Sequence, residues 1–365
     1  MNIQIPTLLL DEDRMHRNVC RMVDKVKHNN VQLRPHLKTP QSNAVAAQLR
    51  QYGIHKIAVS SLRMAKYYVA DGWTDILVAF PLNVLEMNLV NELAQQIDLQ
   101  LIVDNKEAIR QLDQQLNSHV DIYIEVDAGY GRSGTLATDL EKIEKLVSQI
   151  ESSKNLQFRG FLCHAGHTYG ERDQHAVQAI HDTHIEQLTT LKNEYLSDYP
   201  DLIVSYGDTP SCSILNDFSM FEEIRPGNFV FYDLTQVEIG SCRLEDVAVA
   251  LLCPVVGVYP DRGEIVIYGG GVHFSKDRLT LKNGQTIYGQ IVNWKGNHWT
   301  IPSSPSYVRS LSQEHGVITA SEALLRQTKV GDVLAILPVH SCMTVDLMPY
   351  YRTMKGEELE IWDKI

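Results

Sequence analysis

Eight short, β-prone apolar runs alternating with segments of helical pattern constrain this chain more than any other feature. The runs lie near Leu33, at Ile57-Ala58-Val59-Ser60, at Ile76-Leu77-Val78-Ala79-Phe80, at Leu99-Gln100-Leu101-Ile102-Val103 and at Val120-Asp121-Ile122-Tyr123-Ile124-Glu125-Val126. Three more follow, at Phe158-Arg159-Gly160-Phe161-Leu162-Cys163, at Leu202-Ile203-Val204-Ser205-Tyr206 and at Glu223-Ile224-Arg225. Apolar residues recur at helical spacing from Asp11, a plausible N-cap, to about Asn30, and again over Asn105–Leu116, Ala137–Ile150 and Ala176–Tyr195. Strands and helices alternating over about 220 residues without a linker predict an α/β fold, a closed parallel (β/α)8 barrel of the TIM type. An open doubly wound sheet is the alternative. Against it stand the near-equal spacing of the units and the lack of a GxGxxG turn after the first run.

After about Asp233 the texture changes. Val247–Leu252, Gly263–Tyr268, Val333–Leu337 and Glu357–Trp362 read as extended, a polar region with turns runs up to Ser312, and no long amphipathic helix follows the barrel. The predicted division is a barrel over residues 1–235 and a mainly β domain over 236–365, with the first ten or so residues free to join the latter.

Of 365 residues, 44% are hydrophobic, enough for two cores, and the formal charge is −12. An acidic chain without concentrated Lys and Arg is not built to hold nucleic acid or an anionic membrane, so any anionic ligand must meet a local positive pocket. No segment approaches the roughly 18 uninterrupted apolar residues of a membrane span, and Met1–Pro6 lacks a basic stretch leading into an apolar run. A cytoplasmic protein is expected. The six cysteines (Cys20, Cys163, Cys212, Cys242, Cys253 and Cys342) form no CxxC pair and read as buried small hydrophobes, with Cys342 set apart by its neighbour His340.

In a barrel of this kind reactive groups collect where strands end. The first run leads to His36 and Lys38. The fifth leads to Asp127-Ala128-Gly129-Tyr130-Gly131-Arg132, the sixth to His164-Ala165-Gly166-His167-Thr168-Tyr169, the seventh to Gly207-Asp208-Thr209-Pro210 and the eighth to Arg225-Pro226-Gly227-Asn228. Small residues with hydroxyls after the last two strands suit a phosphate, because backbone N–H groups can approach its oxygens. Combined with a strand-end lysine, they point to a phosphate-bearing aldehyde cofactor held as a Schiff base.

Pro35-His36-Leu37-Lys38-Thr39, Glu125-Val126-Asp127-Ala128-Gly129 with Arg132, Gly207-Asp208-Thr209-Pro210, Arg225-Pro226-Gly227-Asn228 and Pro338-Val339-His340-Ser341-Cys342 occur in this order. In this the chain resembles the D-serine dehydratase and D-threonine aldolase family, pyridoxal phosphate (PLP) enzymes with the alanine-racemase-like fold. The resemblance covers nearly the whole chain. It implies a PLP-carrying barrel followed by a β domain, Lys38 as the lysine that carries the cofactor, and Arg132, Tyr169, Thr209, Gly227 and Asn228 as cofactor contacts. It also implies a zinc ion, or another divalent metal, on His340 and Cys342. If that segment is extended, residues i and i+2 point to one side, so imidazole and thiolate converge while Ser341 faces away. Two protein ligands leave positions open for water or substrate.

The expected reaction is dehydration of a D-β-hydroxy amino acid, D-serine or D-3-hydroxyaspartate, to a keto acid and ammonia. Lys38, His164 or His167 would take the α-proton while the metal helps hydroxide leave. D-threonine aldolase chemistry, giving glycine and an aldehyde, is the alternative. An amino-acid racemase and a non-catalytic PLP-binding protein are the further readings. A homodimer is expected by analogy with the fold. Two departures from the family pattern bear on pocket shape. Lys38-Thr39-Pro40-Gln41 replaces Lys-Thr-His-Lys, and Val339 stands where Asn often precedes the metal histidine.

Overall fold

A computed structural model describes residues 2–296 and 298–364. The chain forms two compact units, one of Arg21–Lys38 with Ala47–Gly227 and one of the remaining described residues.

The first unit is the barrel. Its strands Gln32–Leu33, Lys56–Val59, Asp75–Pro81, Asp98–Val103, Val120–Asp127, Leu156–Cys163, Ile203–Tyr206 and Glu223–Ile224 pair in parallel, each with its neighbour in sequence except across the closure. Pairing of Glu223–Ile224 with Gln32–Leu33 joins the last strand to the first. The remaining seam, between the first strand and the second, is closed by a parallel bridge from His36 to Ala58. Around it the Leu37 N–H donates to the Ala58 carbonyl and the Ala58 N–H to that of Pro35. Closure excludes the open doubly wound sheet.

The barrel interior mixes a small apolar cluster (Ala58, Leu77, Ile102, Tyr123 and Leu162) with a buried polar chain. Arg34, only 1% exposed, donates from Nε to Glu223 and from Nη1 to Asp75, at 2.7 and 2.6 Å. The other Glu223 oxygen accepts from Ser205, whose hydroxyl accepts in turn from Arg225 Nε at 2.7 Å. Such a chain is tolerable in a core because Arg34 is paired with both carboxylates and Arg225 is hydrogen-bonded to Ser205 and to the Cys163 carbonyl.

Outside, the helices start where the sequence offers a capping side chain. Asn105 accepts from the Ala108 N–H, Asp139 from Lys142 and Asp208 from Ser211. Lys106–Gln115, Leu140–Glu151 and Gln174–Tyr195 match the helices expected from periodicity.

The second unit is built on a largely antiparallel sheet. Its order runs Glu264–Tyr268, His315–Thr319, Tyr307–Leu311, Gly289–Trp294, Val333–Pro338, Val249–Tyr259, Thr7–Leu10, Tyr350–Thr353 and Glu358–Glu360. Thr7–Leu10 pairs antiparallel with Val249–Leu252 and parallel with Tyr351–Thr353. Gly289–Trp294, Tyr307–Leu311 and His315–Thr319 lie in or beside the stretch read from sequence as polar turns. Gly289–Trp294 buries Gly289, Ile291 and Val292, and the other two strands bury one residue and two, so the apolar signal of each is thin. No helix among the described residues is long and apolar enough to cross a membrane.

Candidate functional site

In the barrel unit, Lys38 lies in a turn just past the His36 bridge and is exposed. Its backbone N–H donates to Nδ1 of His36 at 3.3 Å. A backbone N–H can only donate, so His36 Nδ1 is unprotonated and the ring's proton sits on Nε2. Burial, reinforced by the nearby charges of Lys38 and Arg225, holds the His36 imidazolium well below the usual histidine range.

His164, directly after the sixth strand, shows the opposite arrangement. Its Nδ1 lies 2.7 Å from the carbonyl oxygen of Gly207. A carbonyl can only accept, so Nδ1 carries the proton and Nε2 a lone pair. Burial outweighs that hydrogen bond and pushes the imidazolium down to about 3. His164 is therefore a neutral ring with a fixed acceptor nitrogen.

Tyr130 stands between the two histidines of the following loop, edge-on to His164 and stacked on His167, with centroids 5.8 Å away in each case. A Cβ on Gly166 would lie 2.4 Å from the Tyr130 ring, so a larger residue there would displace that ring from its place between the histidines. Asp127 shapes the Tyr130 loop by accepting from the N–H groups of Gly129, Tyr130 and Gly131. The His167 ring lies 5.3 Å from that of buried His184, and its buried Nδ1 has no hydrogen-bond partner. Arg132 is half exposed, 3.8 Å from Glu125.

Tyr169 and Thr209 meet, for the Thr209 N–H donates to the tyrosine hydroxyl at 3.1 Å. Gly207, at φ 147°, has backbone atoms of Arg225 2.8 Å from where a Cβ would sit. Asp208 caps the short helix Thr209–Ile214, and burial raises its carboxyl to about 6. Gly227 is buried at the end of the barrel unit.

The second unit carries His340 and Cys342, and here the sequence expectation needs correction. The segment is not extended through Cys342. His340 is the N-cap of the helix Ser341–Asp346, and Cys342 lies in its first turn. The two side chains still influence one another, since Cys342 helps to favour the charged form of the His340 ring. Ser341 does not simply face away, since its N–H donates to Asp233 Oδ2 at 3.0 Å and its hydroxyl accepts from Asn228. A buried carboxylate that caps the backbone here favours a helical turn over continued strand.

Asn228 is turned toward this group. Its Nδ2 donates to Asp233 at 2.7 Å, to Ser341 at 3.0 Å and toward the Cys342 sulfur at 3.6 Å. Thr39 Oγ1 lies 3.2 Å from the same sulfur. Either the Thr39 hydroxyl or the Cys342 thiol can be the donor in that contact.

Asp277 was not found by sequence reasoning. Its carboxylate lies 2.6 Å from His340 Nδ1. Partial burial works against the charged ring, but the hydrogen bonds to Asp277 and Cys342, with the negative charge of Cys342 and Asp233, lift the imidazolium to about 11. The nearest signal in the sequence is the Gly269-Gly270-Gly271 run, which leads into the short helix Gly271–Phe274 shortly before Asp277. Among the described residues no three His, Cys, Asp or Glu side chains gather as a metal-binding group. A cation here would have two protein ligands, with Asp277 orienting the imidazole from behind. That donor set fits a borderline-soft divalent ion with open coordination positions. The barrel unit's exposed strand-end lysine and neutral histidines equally fit an aldehyde cofactor.

The alanine racemase N-terminal domain family matches residues 10–234, and a serine dehydratase domain family matches residues 248–354. Over its whole length the chain is 31% identical to D-threo-3-hydroxyaspartate dehydratase of Delftia sp. (strain HT23), of which 98% is covered. It is 26% identical to D-serine dehydratase of Dictyostelium discoideum, across 98% of this chain and 94% of that one. A solved structure of a cysteine-to-alanine mutant of D-threo-3-hydroxyaspartate dehydratase in the metal-free form overlays with a TM-score of 0.90. It is 29% identical and covers 100% of this chain and 99% of that one.

Proposed function

This chain belongs to the alanine-racemase-like family of dehydratases and aldolases, PLP-dependent lyases, and we propose that within it the protein dehydrates a D-β-hydroxy amino acid, D-serine or D-3-hydroxyaspartate. The observation that carries this reading is the meeting of His340 with Cys342, with Asp277 bound to the outer nitrogen of the histidine. A racemase needs two proton-transfer groups and no such ligand pair.

PLP, when bound, would supply a ring that spreads the charge left on the substrate's α-carbon, and zinc or another divalent metal would supply Lewis acidity at the β-oxygen. Lys38 would carry the cofactor. Thr209 and Tyr169, already hydrogen-bonded to each other, would hold its phosphate with the backbone around Gly227, and Arg132 would add positive charge. His340 and Cys342 would ligate the metal.

Of the two histidines among the candidate bases, His164 has the more defined geometry. Its Nδ1–H is committed to the Gly207 carbonyl, which leaves Nε2 as the one acceptor nitrogen for the α-proton, while burial makes the ring a weaker base than free histidine. His167 has the opposite difficulty, because its unpaired Nδ1 is buried. A homodimeric assembly belongs to the same proposal by analogy with the fold alone, and cytoplasmic location by the expectation drawn from the sequence.

The deciding experiment offers D-serine, D-threonine and D-3-hydroxyaspartate to the PLP- and zinc-loaded protein and scores keto acid and ammonia against glycine and aldehyde. Keto acid from D-serine or D-3-hydroxyaspartate, lost on chelation or in Cys342→Ala, is the expected result. Glycine and aldehyde as the main products would overturn dehydration in favour of aldol cleavage.

A further inference from the structure

His36 is the group the proposed reaction leaves unused. It is 9% exposed, two residues before Lys38, at the strand bridge that closes the barrel. Its Nδ1 is occupied by the Lys38 N–H, and its backbone N–H donates to the Pro226 carbonyl at 3.0 Å. Ring and backbone are therefore both fixed. Among the hydrogen bonds of the described residues Nε2 takes no part, and it is not sealed from solvent as an unpaired buried atom.

His164 is fixed with the reverse polarity, Nδ1–H to Gly207 and Nε2 bare, and Nε2 likewise takes no part in those hydrogen bonds. The charged and titratable groups that act on His36 are Lys38, Arg225, His164 and Arg132. All four, when protonated, disfavour a second proton on its ring. The result is two neutral imidazoles of opposite tautomer within reach of one another's charge, one offering an N–H and the other a lone pair.

We propose that His36 is a hydrogen-bond donor to the ligand, matched to the acceptor His164, and that its Nε2–H binds an anionic oxygen of the group that Lys38 engages. This rests on the PLP-lyase reading. In an aromatic aldehyde bearing a phenolic oxygen beside the aldehyde carbon, that oxygen is the anionic atom nearest the lysine nitrogen, and it competes for the same proton. A donor aimed at it stabilises the oxyanion and lowers the affinity of the adjacent nitrogen for its proton.

Two substitutions separate this role from a merely structural one. Asparagine can replace the Nδ1 acceptor but reaches no further, whereas glutamine can place an N–H near the position of Nε2. In the PLP-loaded protein the pH titration of the visible cofactor band should move up by about one unit in His36→Asn and by no more than about 0.3 unit in His36→Gln. Equal shifts in both variants, or none in His36→Asn, would overturn the assignment. A second measurement needs no cofactor. Nitrogen-15 spectra of the histidines in the cofactor-free protein should show His36 as the Nε2–H tautomer and His164 as the Nδ1–H tautomer, both unchanged from about pH 7.5 to about pH 5.5. Like tautomers, or a doubly protonated His36 at the lower pH, would refute the pair. If PLP gives no visible band in the unsubstituted protein, the lyase reading itself fails. The tautomers then still decide whether the donor–acceptor pair exists.

Discussion

The Nδ1 of His340 and the Oδ2 of Asp277 lie 2.6 Å apart, although 63 residues separate them in the chain. The carboxylate fixes which nitrogen of the ring is left to bind a metal, and raises that nitrogen's basicity. Asp277→Asn keeps the shape and removes the charge. The expected outcome is zinc affinity weakened by about 10- to 100-fold, measured by competition with a chromogenic chelator on cofactor-free protein. Unchanged affinity would mean that Asp277 does not orient the ligand.

Lys38 is the sole residue proposed to bind PLP covalently. After incubation with PLP and reduction by borohydride, the unsubstituted protein should retain one cofactor mass at Lys38, and Lys38→Ala should retain none. Peptide mass spectrometry reads the result directly, and an adduct on another lysine would displace Lys38 from its role.

Asp233 ties together three segments. One oxygen accepts from the Gln236 N–H and caps the helix Leu234–Ile239, while the other accepts from Asn228 Nδ2 and the Ser341 N–H. Asp233 is 1% exposed, so Asp233→Ala leaves several buried donors without partners. A loss of about 3 kcal/mol in unfolding free energy is expected from urea titration. A change below about 0.5 kcal/mol would show that water replaces the carboxylate at little cost.

His184 is fully buried, and desolvation pushes its imidazolium down to about 4. In the unfolded chain the ring titrates near 6.5. Between those values the unfolded state binds the proton and the folded state does not, so stability is intact above about pH 6.5 and is lost as pH falls toward 4. Between pH 7.5 and pH 5 the unsubstituted protein should lose about 2 kcal/mol through this one group. His184→Gln should be less acid-sensitive by that amount when urea midpoints are compared at the two pH values. Parallel losses in both proteins would place the acid sensitivity elsewhere, for instance in His36 or His164.

The barrel was legible because each strand and helix carries its own burial in its periodicity. Val120–Asp127 and Gln174–Tyr195 could be read almost to their ends from local apolar spacing and capping residues. The strands between Gly289 and Thr319 were not. Tyr307–Leu311 buries only Val308, too little apolar repetition to stand out from turn-rich sequence.

Residue types and their order along the chain determined the alternating fold, the strand-end positions of Lys38, His164 and Thr209, and the nearness of His340 to Cys342. Tertiary structure alone decided how the barrel closes, through His36 against Ala58, and which nitrogen of each histidine carries the proton. It also brought Asp277 to His340 and turned Ser341 into a helix. The physical reason is that burial patterns are local and repeat within a segment. A hydrogen bond between residues far apart in the chain leaves no periodic trace, yet it sets the protonation and direction of the groups that do chemistry.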